Sequence, residues 1–137
     1  MDNRKRFDPK KLEVFSSEVL QKLGVPQKDA DITAKILVHT DIRGVESHGV
    51  AHLNPFYVTW IKEGKVTPKP ELKWSSNSAT SAILDGGSGL GFVAGYNAME
   101  EAIKRAKESG AGFVSVNNST HFGAAAYYAM MALDHDM

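Results

Sequence analysis

The stretch from Arg43 to Val50 places a hydroxyl, an imidazole, a carboxylate and a guanidinium around two glycines, in the order RGVESHGV. A hydroxyl next to an imidazole can orient or pass a proton, and the ordinary pKa of histidine lies nearest to neutral pH. We therefore consider His48 an acid–base candidate that Ser47 assists. The structural alternative is that Ser47 caps the following helix and that His48 is a polar loop residue.

A second histidine lies in the polar stretch from Asn117 to Gly123, which follows the apolar segment Phe113-Val114-Ser115-Val116. Loops at the ends of strands and helices gather functional groups, and glycines mark both histidine-containing stretches. His121 is therefore a second candidate for acid–base chemistry.

A glycine-rich loop, Asp85 to Gly91, follows a predicted strand and precedes a predicted helix, which is the setting in which backbone N–H groups bind phosphate. Residues Gly89 to Ala94 also fit the G-x-G-x-x-G/A fingerprint. A dinucleotide fold of that type places an acidic residue at the end of the next strand. In this chain the next predicted strand ends in Val116-Asn117-Asn118, without an acidic residue. No Lys-Ser or Lys-Thr follows the glycines, which excludes a P-loop. We favour a tight turn with close helix packing.

The histidine spacings give little support for a metal site. His48 and His52 are four residues apart, but Gly49 and the surrounding glycines argue against a rigid helical pair. We predict no metal. The chain has no cysteine, which excludes disulfides and thiolate ligands and agrees with a reducing, cytoplasmic location.

Composition restricts the classes of partner. The 137 residues are 42% hydrophobic, enough for one core, and sixteen basic residues balance sixteen acidic ones. This balance gives no electrostatic reason to expect nucleic acid or an anionic membrane. Since no segment has the length of a signal sequence or a membrane span, we expect a protein that is neither exported nor membrane-embedded.

Helical patterns fill the first half of the chain. Asp8 and Pro9 predict the start of a first helix, whose apolar stripe is Leu12, Phe15, Val19, Leu20 and Leu23. A second helix is predicted from Gln27 to Arg43, with Gly44 as its stop, and a third ends at Gly64. The inward positions expected for these two are Ala30, Ala34, Leu37, Val38, Ile42, Leu53, Phe56, Tyr57, Trp60 and Ile61.

Strands alternate with helices in the second half. Two short strands, 72–75 and 80–84, are predicted to form a hairpin through the polar turn Ser75-Ser76-Asn77-Ser78, after an extended linker at 66–70. A helix over 92–109, a buried strand over 113–116 and a helix over 124–133 follow. Because the alternation stops before the next strand, we expect the chain to be part of a longer protein.

Three motifs together resemble the malate/L-lactate dehydrogenase family of the second, non-Rossmann type. They are DIRGVESHGV from Asp41, DGGSGLG from Asp85 and NSTHFGAA from Asn118, in family order. Family members are more than twice this length, so the resemblance covers the N-terminal part. It implies an α/β fold with a mixed sheet and flanking helices, incomplete here. Residues 1–64 would form the N-terminal helical portion, and residues 65–137 would begin the cofactor- and substrate-binding portion.

The resemblance also implies a function. Relatives interconvert 2-hydroxy and 2-oxo acids with NAD or NADP, or reduce related C=N substrates. His48 matches the proton donor and Ser47 its relay, while His121, Phe122, Gly123, Ala124 and Ala125 match a cofactor-binding stretch. In some relatives the histidine equivalent to His121 is the acid–base residue, and both assignments stay open. A homodimer with the active site near the subunit contact is implied, and the 137 residues alone are expected to be inactive.

One position departs from the family pattern. Several relatives carry an arginine four residues after the catalytic histidine, where it grips the substrate carboxylate, and here that position is His52. We assign His52 and Arg43 to substrate binding. The identity of the acid stays open, and so does the choice between NAD and NADP. The alternatives to a hydroxy-acid dehydrogenase are a cyclic imino-acid reductase of the same family and a non-catalytic binding module that keeps the family shape.

Overall fold

The computed structural model describes residues 5–75 and 78–137, so Ser76 and Asn77 of the predicted turn lie outside the described residues. The fold is mixed α/β, with a helical first half and a three-stranded sheet in the second. Its helices are α1 (Pro9–Gln21), α2 (Gln27–Ile42), α3 (Thr59–Lys62), α4 (Gly91–Ser109) and α5 (Ala125–Met131). Its strands are β1 (Lys73–Ser75), β2 (Ser81–Gly89) and β3 (Phe113–Ser119).

The first two helices pack against each other. The Asp8 carboxylate accepts the Lys11 N–H at 2.9 Å, which confirms the predicted N-cap of α1. Ser16 and Ser17 are buried against α2, and the Ser17 hydroxyl donates to Asp31. Because these small side chains face α2, the predicted inward position of Phe15 is wrong, and its side chain is 56% exposed.

Gly44 ends α2 in the left-handed region, at φ +77°, as the sequence predicts. The expected inward residues Ala30, Ala34, Leu37 and Val38 are buried, whereas Ile42 is 64% exposed. Ile42 is the last residue of α2. The prediction for Ile42 was therefore wrong.

The third predicted helix is broken into short pieces. Two 3₁₀ turns, Glu46–His48 and Val50–His52, lead into a π-helical segment, Leu53–Val58, and then into α3. Leu53 and Tyr57 are buried as expected, but Phe56 is partly exposed. Because 3₁₀ and π-helical turns differ in pitch from an α-helix, the side chains leave the single predicted stripe.

The sheet has the order β1-β2-β3. Strands β1 and β2 are antiparallel, which confirms the predicted hairpin, while β2 and β3 are parallel and are joined through α4. Strand β2 continues through the predicted glycine-rich loop to Gly89, and β3 continues into the predicted polar turn as far as Ser119. The predicted burial of residues 113–116 was wrong, because β3 is an edge strand and Phe113 is 67% exposed.

The main hydrophobic core joins both halves of the chain. It is formed by side chains from α1, α2, the π-helical segment, α4 and α5. Helix α5 is itself shorter than the predicted 124–133. The buried members of the core include Leu20, Leu37, Leu53, Tyr57, Leu90, Phe92 and Tyr128. The turns that carry His48 and His52 are thus attached to the same core as the segment that carries His121.

Candidate active site

Three imidazoles from two distant parts of the sequence lie side by side. The ring centroids of His48 and His121 are 5.5 Å apart and nearly stacked, and those of His48 and His52 are 6.1 Å apart. His48 and His52 come from consecutive 3₁₀ turns, and His121 follows the carboxyl end of β3. We name these three residues the imidazole cluster. The structure therefore brings together the histidines of both motifs.

Ser47 lies directly against His48. Its hydroxyl oxygen is 3.0 Å from His48 Nδ1, so this contact occupies one ring nitrogen. Either the hydroxyl donates to Nδ1 or the protonated Nδ1 donates to the hydroxyl. In both cases Nε2 is the nitrogen left to exchange a proton with a bound molecule. The pair has the geometry that a hydroxyl relay requires.

Asp41 fixes the turn that follows His48. Its carboxylate accepts the Val50 N–H at 2.9 Å, at the start of the 3₁₀ turn that carries His52. A Cβ on Gly49 would lie 1.7 Å from Asp41 Oδ1, so only glycine allows the carboxylate to approach this closely. Gly49 is therefore needed for this close approach.

Replacing Asp41 with alanine should lower the free energy of unfolding by about 1 kcal/mol, because the Val50 N–H then loses its acceptor. Asp41→Asn keeps an oxygen at the same position and should recover most of this loss. Urea unfolding of the two variants checks the prediction. Equal losses in both would show that the carboxylate acts through its charge instead of its hydrogen bond.

His121 is held through its Nδ1 atom. The Tyr57 hydroxyl lies 3.0 Å from that atom, and the Gly123 N–H donates to it at 3.2 Å. Partial burial lowers the pKa of His121 below its ordinary value, and the neighbouring His48 and His52 lower it further by charge repulsion. The neutral form of His121 is thus favoured.

The two residues assigned to substrate binding lie in different surroundings. His52, a member of the imidazole cluster, packs edge-on against Phe56, with ring centroids 4.6 Å apart. Arg43 caps the end of α2, and its Nη1 atom donates to Met130 Sδ at 3.1 Å. A thioether is a weak acceptor, so this contact holds the guanidinium only loosely.

The stretch assigned to cofactor binding divides into two groups. Phe122 and Ala125 line a groove of about 850 Å³ between α4 and the outer edge of β3. Gly123 is buried at φ +76°, where a Cβ would lie 2.4 Å from the Phe92 ring. Ala124 is the residue before α5, and His121 belongs to the imidazole cluster. The groove thus begins directly beside the cluster.

The glycine-rich stretch makes internal contacts. Asp85 accepts the Gly87 N–H at 2.8 Å and the Asn118 side-chain amide at 2.9 Å, and these two bonds hold the pKa of Asp85 below its ordinary value. The Gly91 N–H, at the start of α4, donates to the Thr120 hydroxyl at 3.2 Å. These contacts show the predicted close packing against α4. The predicted tight turn was wrong, because residues 85–89 are the end of strand β2, with an irregular register against β3.

Within residues 5–75 and 78–137, no group of three or more histidine, cysteine or acidic side chains is arranged to hold a metal ion. In the same ranges, no helix has both the length and the apolar character needed to cross a membrane.

Sequence reasoning missed three residues that organise the site. Asp41 and Thr120 are polar residues within the motifs to which no role was assigned, and their hydrogen bonds connect segments whose proximity the sequence does not reveal. Tyr57 was assigned to an apolar stripe, and its ring does pack in the core. Its hydroxyl is the part that reaches His121. The one available signal was that a buried tyrosine hydroxyl normally has a polar partner.

Comparisons with known proteins show which proteins this chain is similar to. The L-sulfolactate dehydrogenase of Methanocaldococcus jannaschii is 47% identical over 120 residues, which are 88% of this chain and 35% of that protein. The malate dehydrogenase of Pyrococcus horikoshii is 46% identical over 136 residues, which are 99% of this chain and 38% of the relative. The chain therefore spans somewhat more than a third of the length of these relatives.

Solved structures show the same fold. The malate dehydrogenase structure from Pyrococcus horikoshii superposes with a TM-score of 0.95 at 45% identity, covering 100% of this chain and 39% of that one. A Δ1-piperideine-2-carboxylate reductase from Pseudomonas syringae has a TM-score of 0.87 at 20% identity, which shows the fold alone. The family model for malate/L-lactate dehydrogenases matches residues 7–137. The chain belongs to the malate/L-lactate dehydrogenase family.

Proposed function

We propose that the protein is an oxidoreductase that transfers a hydride between a nicotinamide cofactor and a 2-oxo or 2-hydroxy acid. The observation that carries this proposal is the imidazole cluster, in which His48 is paired with Ser47 and stacked near His121. The relatives named malate and sulfolactate dehydrogenase, at 46% and 47% identity, favour a hydroxy acid over a cyclic imine.

His48 is the proposed proton donor and acceptor. A bound nicotinamide supplies or takes up the hydride at the substrate carbon. In reduction, the C=O electron pair moves to oxygen, and His48 donates a proton to that oxygen from Nε2. In oxidation, neutral His48 removes the hydroxyl proton. Ser47, 3.0 Å from Nδ1, keeps the ring oriented in both directions and exchanges a proton with it.

The substrate carboxylate is proposed to bind at His52, with Arg43 as a second cation. The His52 ring lies 6.1 Å from the His48 ring, and its contact with Phe56 restrains it. Arg43 gains a stronger acceptor if it exchanges the Met130 thioether for a carboxylate. An imidazole carries its charge only at acidic to neutral pH, whereas a guanidinium keeps it at all working pH values.

His52→Arg should lower KM for the hydroxy acid about fivefold in the full-length protein, because a guanidinium binds a carboxylate through two hydrogen bonds and an imidazole through one. Steady-state kinetics of the variant and the parent test this. His135→Arg adds the same group on the exposed turn near Lys107 and is the matched control.

The cofactor is proposed to be NAD or NADP. The residues beside the cluster fit a flat ring, because Phe122 offers an exposed aromatic face and lines the groove together with the small side chain of Ala125. His121 to Ala125 would hold the cofactor there. The division into residues 1–64 and 65–137, a homodimer and a cytoplasmic location belong to the same proposal.

A substrate panel tests the proposed function. The natural full-length protein is assayed at 340 nm with malate, lactate, sulfolactate and their oxo acids, each with both cofactors, and with a cyclic imino acid. Turnover of a hydroxy acid supports the proposal. Turnover of the imine alone would favour the reductase alternative, and cofactor binding without any turnover would favour a binding module.

A further inference from the structure

Tyr57 is a tyrosine whose ring and hydroxyl have separate surroundings. The side chain is 0% exposed, and its ring packs edge-to-face on Phe92 and Trp60, with centroids 4.9 and 5.8 Å away. The hydroxyl alone leaves the apolar core and lies 3.0 Å from His121 Nδ1. Burial raises the pKa of Tyr57, so the hydroxyl stays protonated and can donate this bond.

A second donor meets the same nitrogen. The Gly123 N–H lies 3.2 Å from His121 Nδ1, and a backbone amide can only donate. This amide is fixed in place, because Gly123 has φ +76° and packs on the Phe92 ring so closely that no Cβ fits. Nδ1 therefore has to be an unprotonated acceptor, and in the neutral ring the proton has to be on Nε2.

The groups that face His121 oppose a second proton. They are Tyr57 from the π-helical segment and His48 and His52 from the two 3₁₀ turns. His48 and His52 can each become positively charged. None of the three groups is an anion while Tyr57 stays protonated. A proton on Nδ1 would also point at the Gly123 N–H, which can only donate, and would break that bond. It would also require the Tyr57 hydroxyl to turn from donor to acceptor.

We propose that Tyr57 is a positioning residue that holds His121 as the neutral tautomer with its proton on Nε2, so that His121 donates a hydrogen bond while His48 transfers the proton. This assignment rests on the proposed function and divides the work between the two histidines. His121 then presents a fixed N–H to the substrate or to the cofactor amide. His48 Nδ1 faces the Ser47 hydroxyl, which can donate or accept, so this contact does not fix the tautomer of His48.

The tautomer can be read directly by NMR. Histidine-selective ¹⁵N labelling of the full-length protein, with the His121 signal assigned by its loss in His121→Gln, distinguishes a pyridine-type Nδ1 from a pyrrole-type Nδ1. We expect a pyridine-type Nδ1 in the parent. In Tyr57→Phe, which keeps the packed ring, the Nε2–H tautomer should lose about fivefold in its population ratio, and the pKa of His121 should rise.

Tyr128→Phe is the matched control. Tyr128 is also buried in the same core, but its hydroxyl donates to the Phe122 carbonyl and not to an imidazole. It should leave the His121 tautomer and titration unchanged. A pyrrole-type Nδ1 in the parent would overturn the proposal even if Tyr57→Phe failed to fold. The same shift in both variants, or in neither, would also overturn it. Because no substrate is present, these results are independent of whether the proposed reaction occurs.

Discussion

His48→Ala in the full-length protein is expected to reduce kcat by about 10²- to 10⁴-fold, the range typical of losing a positioned acid–base group. The carbonyl oxygen then loses its proton donor, and Ser47 loses the ring that it orients at 3.0 Å. The side chain is only partly buried, in a surface turn between 3₁₀ segments, so folding should be unaffected. Steady-state kinetics in both directions, together with a thermal melt by circular dichroism, measure the two effects.

His135→Ala removes an imidazole from the exposed C-terminal turn and should leave kcat within twofold of the parent, as a matched control on the same chain. Ser47→Ala should cost less than His48→Ala, because it removes an orienting group and leaves the donor. An unchanged kcat in His48→Ala would contradict the assignment. If His121→Ala alone abolished the pH dependence of kcat, His121 would be the acid–base residue.

Local signals in the sequence were sufficient for most helix ends. Asp8 and Pro9 begin α1, and Gly44 stops α2, because a side-chain cap and a left-handed glycine depend on only a few neighbouring residues. Burial was harder to predict. Phe15 is exposed because Ser16 and Ser17 make the contact with α2, and an apolar stripe does not reveal which face its partner helix takes.

The predicted burial of strand β3 was wrong for a similar reason. The apolar run at 113–116 is typical of a central strand, yet β3 has β2 on one edge and the open groove on the other. Which strands flank a given strand is a property of the whole sheet. The composition of β3 still predicts a buried strand, and its exposure here reflects the sheet order within the described residues.

The residues of the site could be predicted from the sequence, but their arrangement in space could not. His48, Ser47 and His121 were singled out by type and by glycine-marked position, whereas their proximity follows from the core that joins the π-helical segment to α4. The contact of Tyr57 with His121 was not predicted, because the ring and the hydroxyl of this side chain have different surroundings. Periodicity detects its ring, and only the fold shows that its hydroxyl meets His121.

Gly91→Ala is expected to lower the free energy of unfolding by about 3 kcal/mol, at the upper end of overpacking costs. An added Cβ would lie 2.1 Å from the Thr120 carbonyl oxygen and 2.6 Å from that of His121. Both are backbone atoms, so the strand end has to move away from α4. The Thr120 hydroxyl, which donates to Gly89 O and accepts the Gly91 N–H, would be displaced with it.

Gly95→Ala, one turn further along α4, separates this effect from helix propensity. The three atoms nearest to its Cβ would be side-chain atoms of Tyr128, at 2.9 to 3.3 Å, and no backbone carbonyl is among them. Alanine gains up to about 1 kcal/mol over glycine in a helix, which offsets this crowding, so the net change should be smaller than for Gly91→Ala. Because His121 is attached to the displaced carbonyl, Gly91→Ala should also weaken cofactor binding. Urea unfolding and NADH titration of both variants measure this. A Gly91→Ala protein as stable as Gly95→Ala would show that the segment from Thr120 to His121 yields without cost, and that the contact with α4 does not position His121.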